Sequence, residues 1–312
     1  MLERIVRTTV KEGGAGPLCD YLCRRFTYHS PETWRGLLEE GRVLLDGAVA
    51  SGGETLTAGM EIQYMPRPVP EPEVSFDAKL LFQDDAYIVI DKPANLPCHP
   101  AGCFFNNTLW AALKQGMVDG LPPMDEIHFV SRLDRETSGI VLLAKTSADA
   151  SRAIRMLRSG GAVKAYHVLV EGDFPDSLSA DGWIYNETNA NISKKRTFSF
   201  DRPSNANVRN LETASTFFDC SGRGNGMSLL RARLATGRTH QIRATLSSLG
   251  FPVVGDKIYG VDETIFLRFL SHGMTDSDRR LLRMPRQALH ASELSFGNYR
   301  FFSDSDFREI LK

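Results

Sequence analysis

Along the first third of the chain, apolar residues recur first at helical and then at strand spacing. Leu18, Tyr21, Leu22 and Phe26 form one helical stripe. Ser30-Pro31-Glu32 reads as a second helix start: a capping hydroxyl, a proline at the first position, and an acid near the positive dipole end. That helix runs through Trp34, Leu37 and Leu38 and stops at Gly41. Arg42-Val43-Leu44-Leu45 then reads as a strand, Asp46-Gly47 as a tight turn, and Met60 to Tyr64 as another strand. Further on, Tyr87-Ile88-Val89-Ile90 and Ile140 to Ala144 are short, continuously apolar strands. Ala165 to Glu171 and Met227 to Ala235 alternate as strands do. Thr146, with Asp149 three residues on, predicts a capped helix through Leu157 that ends at Gly160-Gly161. Ile242, Leu246 and Leu249 form an apolar stripe on a helix ending at Gly250, with Arg243 placed at the edge of that stripe and away from the core.

Between these two groups of elements, Pro66-Arg67-Pro68-Val69-Pro70-Glu71-Pro72 places four prolines in seven residues, a composition that suits an extended connector. The expected organisation is a small α/β module over residues 1–66, a proline-rich linker over 67–77 and a larger domain over 78–312. In the larger domain, runs of strands with few regular crossover helices predict an α+β fold with a mixed, largely antiparallel sheet, not a doubly wound one. No glycine-rich phosphate loop follows a strand, so a nucleotide cofactor is not expected.

Composition narrows the function classes. The 312 residues are 42% hydrophobic and 24% charged, as in ordinary globular proteins. No apolar run approaches the length of a membrane span, and Met1 to Arg7 lacks the apolar core of a secretory signal, so cytoplasm is the default location. Five cysteines, with Cys19 and Cys23 four apart and Cys98 and Cys103 about a turn, fit neither a full disulfide framework nor zinc spacing; no metal is expected. A net charge of −1 argues against a passive nucleic-acid coat, yet basic residues gather locally at Arg152, Arg155 and Arg158 and at Lys194-Lys195-Arg196. Taken singly, each of these clusters reads as a solvated face.

The segment Ser131-Arg132-Leu133-Asp134-Arg135-Glu136-Thr137-Ser138-Gly139 sets one carboxylate between two arginines, ahead of a strand. Arginine neighbours keep a carboxylate ionised at neutral pH, and an ionised carboxylate can act as nucleophile or base. Four segments then follow one another in order. They are Asp91-Lys92-Pro93-Ala94-Asn95-Leu96-Pro97-Cys98-His99-Pro100; Arg132-Leu133-Asp134 with Thr137-Ser138-Gly139; Lys164-Ala165-Tyr166-His167-Val168-Leu169-Val170-Glu171-Gly172; and Thr236-Gly237-Arg238-Thr239-His240-Gln241-Ile242-Arg243, continuing to Gly255-Asp256 and Tyr259-Gly260. A closing Gln287-Ala288-Leu289-His290-Ala291 completes the set. In motif content and order the chain resembles the RluA/RluD-type RNA pseudouridine synthase family, and its first 66 residues resemble the ribosomal-protein-type RNA-binding module that precedes many RNA-modifying domains.

The resemblance implies an isomerase that detaches a uridine of structured RNA from its ribose, turns it and rejoins it through carbon, with no cofactor. Ribosomal RNA is favoured over transfer RNA, and a monomer is the default. It puts the catalytic aspartate at Asp134, its arginine partner at Arg243 and a base-stacking tyrosine at Tyr166. Substrate contacts are expected from Arg132, Arg135, Arg238, His240 and Lys164, and RNA-backbone contacts of the small module from Arg24, Arg25, Arg35 and Arg42. His99, His240 and His290 lie in motif cores and are expected to hold loops by hydrogen bonds. One departure is Ser131, where the family usually has histidine; another is a lengthened loop at Gly120-Leu121-Pro122-Pro123-Met124. The rival readings are a non-catalytic RNA-binding protein of the same fold, and a nucleoside hydrolase or lyase using the same aspartate. Intact Asp134, Tyr166 and Arg243 argue against the first of these, and the extra module argues for a polymeric substrate.

Overall fold

The computed structural model describes residues 2–204 and 207–311. The chain divides into two compact units, Met1–Pro72 and Glu73–Lys312, so the proline-rich segment ends the first unit.

The first unit begins with β1 (Val6–Thr9) and the two-residue β2 (Gly16–Pro17), followed by α1 (Leu18–Arg25) and α2 (Pro31–Glu39). Four short strands complete it: β3 (Val43–Leu45), β4 (Ala48–Val49), β5 (Thr55–Leu56) and β6 (Glu61–Tyr64). Ser30 caps α2 as its sequence suggests, the hydroxyl accepting the Thr33 N–H at 3.2 Å. Asp46 and Gly47 both take positive φ, 48° and 83°, which is the geometry that lets a two-residue loop join β3 to β4 without splaying them. Leu18, Leu22, Trp34, Leu37, Val43, Leu56 and Ile62 close the core at 1% exposure or less, each fully buried aliphatic contributing about 1.5–3 kcal/mol.

In the second unit β7 (Lys79–Gln83) and β8 (Tyr87–Lys92) lead to α3 (Leu109–Lys114), then β9 (His128–Phe129) and β10 (Ser138–Ala144). Next come α4 (Ser147–Arg158), β11 (Val163–Glu171), β12 (Ser177–Glu187) and β13 (Thr197–Ser199). The long β14 (Val208–Gly224) and β15 (Met227–Leu234) precede α5 (Gln241–Ser248), α6 (Thr264–Ser271) and α7 (Asp276–Leu282). The unit ends with β16 (Leu289–Phe296), β17 (Tyr299–Phe302) and α8 (Phe307–Ile310). Among the described residues these strands form one eleven-stranded sheet with the path β13-β12-β14-β15-β11-β16-β10-β8-β7, to which β9 and β17 attach. Pairing is antiparallel except between β10 and β16, as expected for a mixed, largely antiparallel α+β fold. No described helix is long and apolar enough to cross a membrane.

The continuous apolar run of β10 is explained by burial on both faces. Val141 and Leu143 pack with Leu109 and Leu113 of α3, while Ile140, Leu142 and Ala144 pack with Ala153 of α4. The parallel junction matters most for the site. Ser138 pairs with His290 and Gly139 with Ala291, and a Cβ on Gly139 would lie 2.3 Å from the Ala291 carbonyl oxygen. Only glycine, here at φ 106°, permits that approach. The strand that carries the 131–137 turn is thereby locked to the closing motif.

Candidate active site

Three loops are tied together beneath the turn that bears Asp134. Lys92, fully buried at the end of β8, donates to the carbonyls of Pro93 at 2.8 Å, Leu96 at 2.9 Å and Arg135 at 3.3 Å. Burial pulls its ammonium down to about 8, so at neutral pH it remains charged, with three acceptors for three protons. On the other side Lys257 binds both Glu136 carboxylate oxygens at 2.9 Å, and Gln287 Nε2 donates to the Thr137 hydroxyl at 2.5 Å. Ser131, the departure from the family's histidine, accepts the Leu142 N–H at 2.9 Å and so seals the start of the same turn. The lengthened 120–124 loop folds back on α3, Met124 N–H donating to the Leu113 carbonyl at 3.1 Å.

The turn presents Asp134 with its side chain one-third exposed, and Arg243 Nη1 donates to Oδ2 at 2.8 Å. The helical stripe places Arg243 at an edge, away from the core. Instead it is 4% exposed, and α5 is buried continuously from Gln241 to Leu246. The guanidinium tolerates that enclosure because it is clamped from a second side: Nε donates to Asp256 Oδ2 at 2.6 Å and Nη2 to Asp256 Oδ1 at 2.9 Å. Asp256 is fully buried and also accepts the N–H groups of Ile258 and Tyr259 at 2.9 and 3.0 Å. The Tyr259 ring covers the guanidinium face with its centroid 4.8 Å from Cζ.

These contacts fix the charges. Burial is the largest single influence on the Asp134 carboxyl and pushes it upward, but the Arg243 charge and hydrogen bond, with the His240 contribution, together outweigh it and hold the carboxyl below the usual carboxylate range. Asp256 follows the same logic. Burial, reinforced by the Arg243 charge, lowers His240 to about 4, leaving it neutral at pH 7. Its Nε2 stands 3.8 Å from Asp134 Oδ1, too far for a hydrogen bond, while Nδ1 and the Tyr259 hydroxyl are 2.9 Å apart. That hydroxyl also accepts the Arg196 N–H at 2.8 Å. His240 enters α5 with a left-handed φ of 57°, and Gln241 anchors the preceding turn by accepting from Thr236 and Arg238 and donating to Ser215 and Thr216.

Tyr166 lies on β11, flanked by Ala232 of β15 and Ala291 of β16. Burial, with the Asp134 charge adding to it, raises its phenol to about 12, so it stays protonated and neutral. Asp134, Tyr166, His240 and Arg243 are thus brought together.

The other expected substrate contacts diverge. Arg132 is exposed on the turn. Arg135 points to Glu136 at 3.1 Å and lies over the Phe104 ring. Arg238 is engaged by Glu212 at 3.2 Å and by the Thr213 carbonyl. Lys164 and Arg238 line a cleft of about 930 Å³ together with Arg158, Arg233 and Phe217; Asp134 is not among its lining residues. Burial and the Arg158 charge lower Lys164. Of the module arginines, Arg24 and Arg25 are exposed at the end of α1, whereas Arg35 pairs with Glu32 at 3.2 Å and Arg42 with Glu40 at 2.9 Å. His290 does hold its loop, bonding Ser138 at 2.9 Å and Ser303 at 3.0 Å.

Asp256 stands within one of the sequence motifs, yet sequence reasoning assigns it no role. A signal is present, an acid after a glycine that nothing else could replace: a Cβ on Gly255 would meet the Arg286 carbonyl oxygen at 2.0 Å. Among the described residues no group of three or more His, Cys, Asp or Glu side chains is placed to hold a metal, and the five thiols are free.

Comparison with known proteins identifies the fold and the family. Two solved human proteins, RNA Pseudouridylate Synthase Domain Containing 1 and Domain Containing 4, share the fold. Their TM-scores are 0.59 and 0.56 at 22% identity, over 78% and 73% of this chain and 89% of each of theirs. The ribosomal large subunit pseudouridine synthase D of Nitrosomonas europaea is 31% identical over 94% of this chain and 80% of its own length. The enzyme of the same name from Pseudomonas aeruginosa is 28% identical over 93% of this chain and 87% of its own. A mitochondrial tRNA pseudouridine(32) synthase of Saccharomyces cerevisiae is 26% identical over 95% of this chain and 60% of its own. The profile of the RNA pseudouridylate synthase family matches residues 86–248, and the chain belongs to that family as an RNA pseudouridine synthase.

Proposed function

We propose that this enzyme converts a uridine of ribosomal RNA to pseudouridine, with Asp134 as the reacting carboxylate and without a cofactor. The observation that carries this reading is an ionised, one-third exposed carboxylate held at 2.8 Å by a buried arginine. The preference for ribosomal RNA rests on the names of the two bacterial relatives. The reaction breaks the bond from C1′ to N1 and forms one from C1′ to C5; the C5 proton leaves and N1 gains one, so nothing is consumed and no redox partner is needed. Asp134 serves either as nucleophile or as the base that takes a ribose proton, and both roles need the charge that Arg243 maintains. Tyr166, neutral at working pH, offers a ring face that offsets part of the cost of taking the base out of its stack. Arg132, exposed on the turn, and Lys164 and Arg238, which line one cleft, serve the RNA strand, and His240 orients the site through Tyr259. Arg135 braces the turn. The first unit acts as an RNA-binding module, using the exposed Arg24 and Arg25, and Arg35 and Arg42 once their acidic partners are displaced. The protein works as a cytoplasmic monomer.

Nucleotide-resolution mapping of pseudouridine in a deletion strain, with and without the wild-type protein restored, tests the reading. Recovery at one or a few ribosomal RNA positions is the expected result. Recovery only in transfer RNA overturns the substrate class, and recovery nowhere overturns the activity.

Asp256 acts through Arg243, as a positioning residue. Asp256→Asn keeps an acceptor for the Ile258 and Tyr259 N–H groups but loosens the clamp, and kcat is expected to fall by about 10- to 100-fold with little change in KM. Because the Asp256 charge raises the Asp134 carboxyl, removing it moves the acid limb of kcat/KM to lower pH. An upward shift of that limb would contradict the assigned coupling.

A further inference from the structure

The Lys194-Lys195-Arg196 cluster reads from sequence as a solvated basic face, but the structure gives its three cations different fates. Arg196 is 5% exposed, bound to Glu212 at 2.8 Å and to the carbonyls of Ile184 and Asn210. Lys195 pairs with Glu263 at 2.6 Å. Lys194 makes no ion pair with any described carboxylate. The residue as a whole is exposed, and its ammonium sits 4.5 Å from the centroid of the Phe266 ring on α6.

The segment is fixed in place against the catalytic centre. The Arg196 N–H donates to the Tyr259 hydroxyl, which also bonds His240, and the Tyr259 ring lies over Arg243. The Asn186 side-chain amide holds the Lys195 carbonyl at 2.8 Å, and Lys195 N–H closes a turn on Ile192. Lys194 is consequently within electrostatic reach of Asp134, Arg243, Arg135 and Glu136, and its own ionisation is lowered by burial first and then by the Arg243 and Arg135 charges. Lys194 thus adds a positive charge, without an ion pair among the described residues, two residues from the Arg196 N–H that bonds the Tyr259 hydroxyl over Arg243. The polymer this enzyme acts on brings one phosphate per nucleotide into that space.

We propose that Lys194 is a substrate-binding residue whose ammonium, steered by the Phe266 ring, holds a backbone phosphate adjoining the uridine presented to Asp134. This rests on the reading of the site as an RNA-modifying one. It adds a subsite contributed by the loop between β12 and β13, far in sequence from the turn that carries the carboxylate.

The test uses the full-length protein and a short RNA stem-loop carrying the uridine found by the mapping above. Lys194→Ala is expected to raise KM about tenfold while single-turnover kcat stays within about twofold. The slope of log affinity against log salt should lose about one phosphate contact, roughly 0.7–0.9. Lys194→Arg should restore most of the affinity. A methylphosphonate at the contacted linkage should weaken the wild type and leave Lys194→Ala unaffected, a coupling that a structural role would not produce. An unchanged KM and salt slope in Lys194→Ala overturns the proposal, as does a loss confined to kcat. If the wild type fails to convert that RNA, the parent reading falls and this one falls with it.

Discussion

Replacing Asp134 by asparagine is expected to lower pseudouridine formation by about four orders of magnitude or more, while RNA binding stays near wild type. The asymmetry follows from the geometry. The substituted amide would keep an oxygen for Arg243 Nη1, and Arg243 would still be neutralised by Asp256 through two hydrogen bonds, so the buried charge network survives. The lost group is the anion itself, which an amide cannot replace as nucleophile or base. Folding should change modestly and with a definite sign. Asp134 has a folded ionisation below its unfolded one, so its charge contributes stability above the unfolded value near 4, and that contribution disappears as pH falls through the folded value. Wild type and variant should therefore differ slightly in urea midpoint at pH 7 and converge in acid. Activity is read by mapping the target uridine after complementation with each form. Substantial pseudouridine from the asparagine form would remove Asp134 from the chemistry.

The parts of this molecule that can be read from the chain are those written locally. Ser30 caps its helix, Asp46-Gly47 turns its hairpin, and the apolar run of Ile140 to Ala144 is a strand buried on both faces. The first strand, Val6–Thr9, escapes a periodicity argument because four residues alternating between half-buried and exposed carry little apolar signal. The 17-residue β14 escapes it for a related reason: polar residues interrupt it, and its pairing with β12 and β15 stabilises it where propensity does not. Arg243 shows the limit most clearly. Local spacing puts it at the rim of a stripe, because a periodicity argument assumes that a charged residue seeks water. What accommodates it in the interior is Asp256, thirteen residues on, and what it holds in its proposed role is Asp134, 109 residues back. Motif resemblance suggests the second contact. The first, and the different fates of Lys194, Lys195 and Arg196, depend on loops meeting in three dimensions, and no single segment encodes them.

Arg243→Met separates the structural and catalytic demands on that network. Removing the guanidinium leaves Asp256, fully buried, and Asp134 without their shared counter-charge, a change that costs about 3–5 kcal/mol of stability. The pH dependence should reverse. In the wild type both carboxyls sit below their usual range, so stability is lost as pH falls through those values. In the variant burial dominates and raises Asp256 above its unfolded value. The folded state then binds the extra proton in the window above about pH 4, and the variant weakens as pH rises through that window. Urea midpoints measured from about pH 4.5 to 8 should accordingly show a gap between the two proteins that widens with pH; a constant gap would contradict the assigned charges. Adding Asp256→Asn to Arg243→Met removes the stranded buried carboxylate while keeping an acceptor for the Ile258 and Tyr259 N–H groups, and should recover much of the lost stability. It should recover none of the activity, because Asp134 still lacks the arginine that keeps it ionised and aimed. A double variant that regained activity along with stability would show that Arg243 serves only to hold the fold.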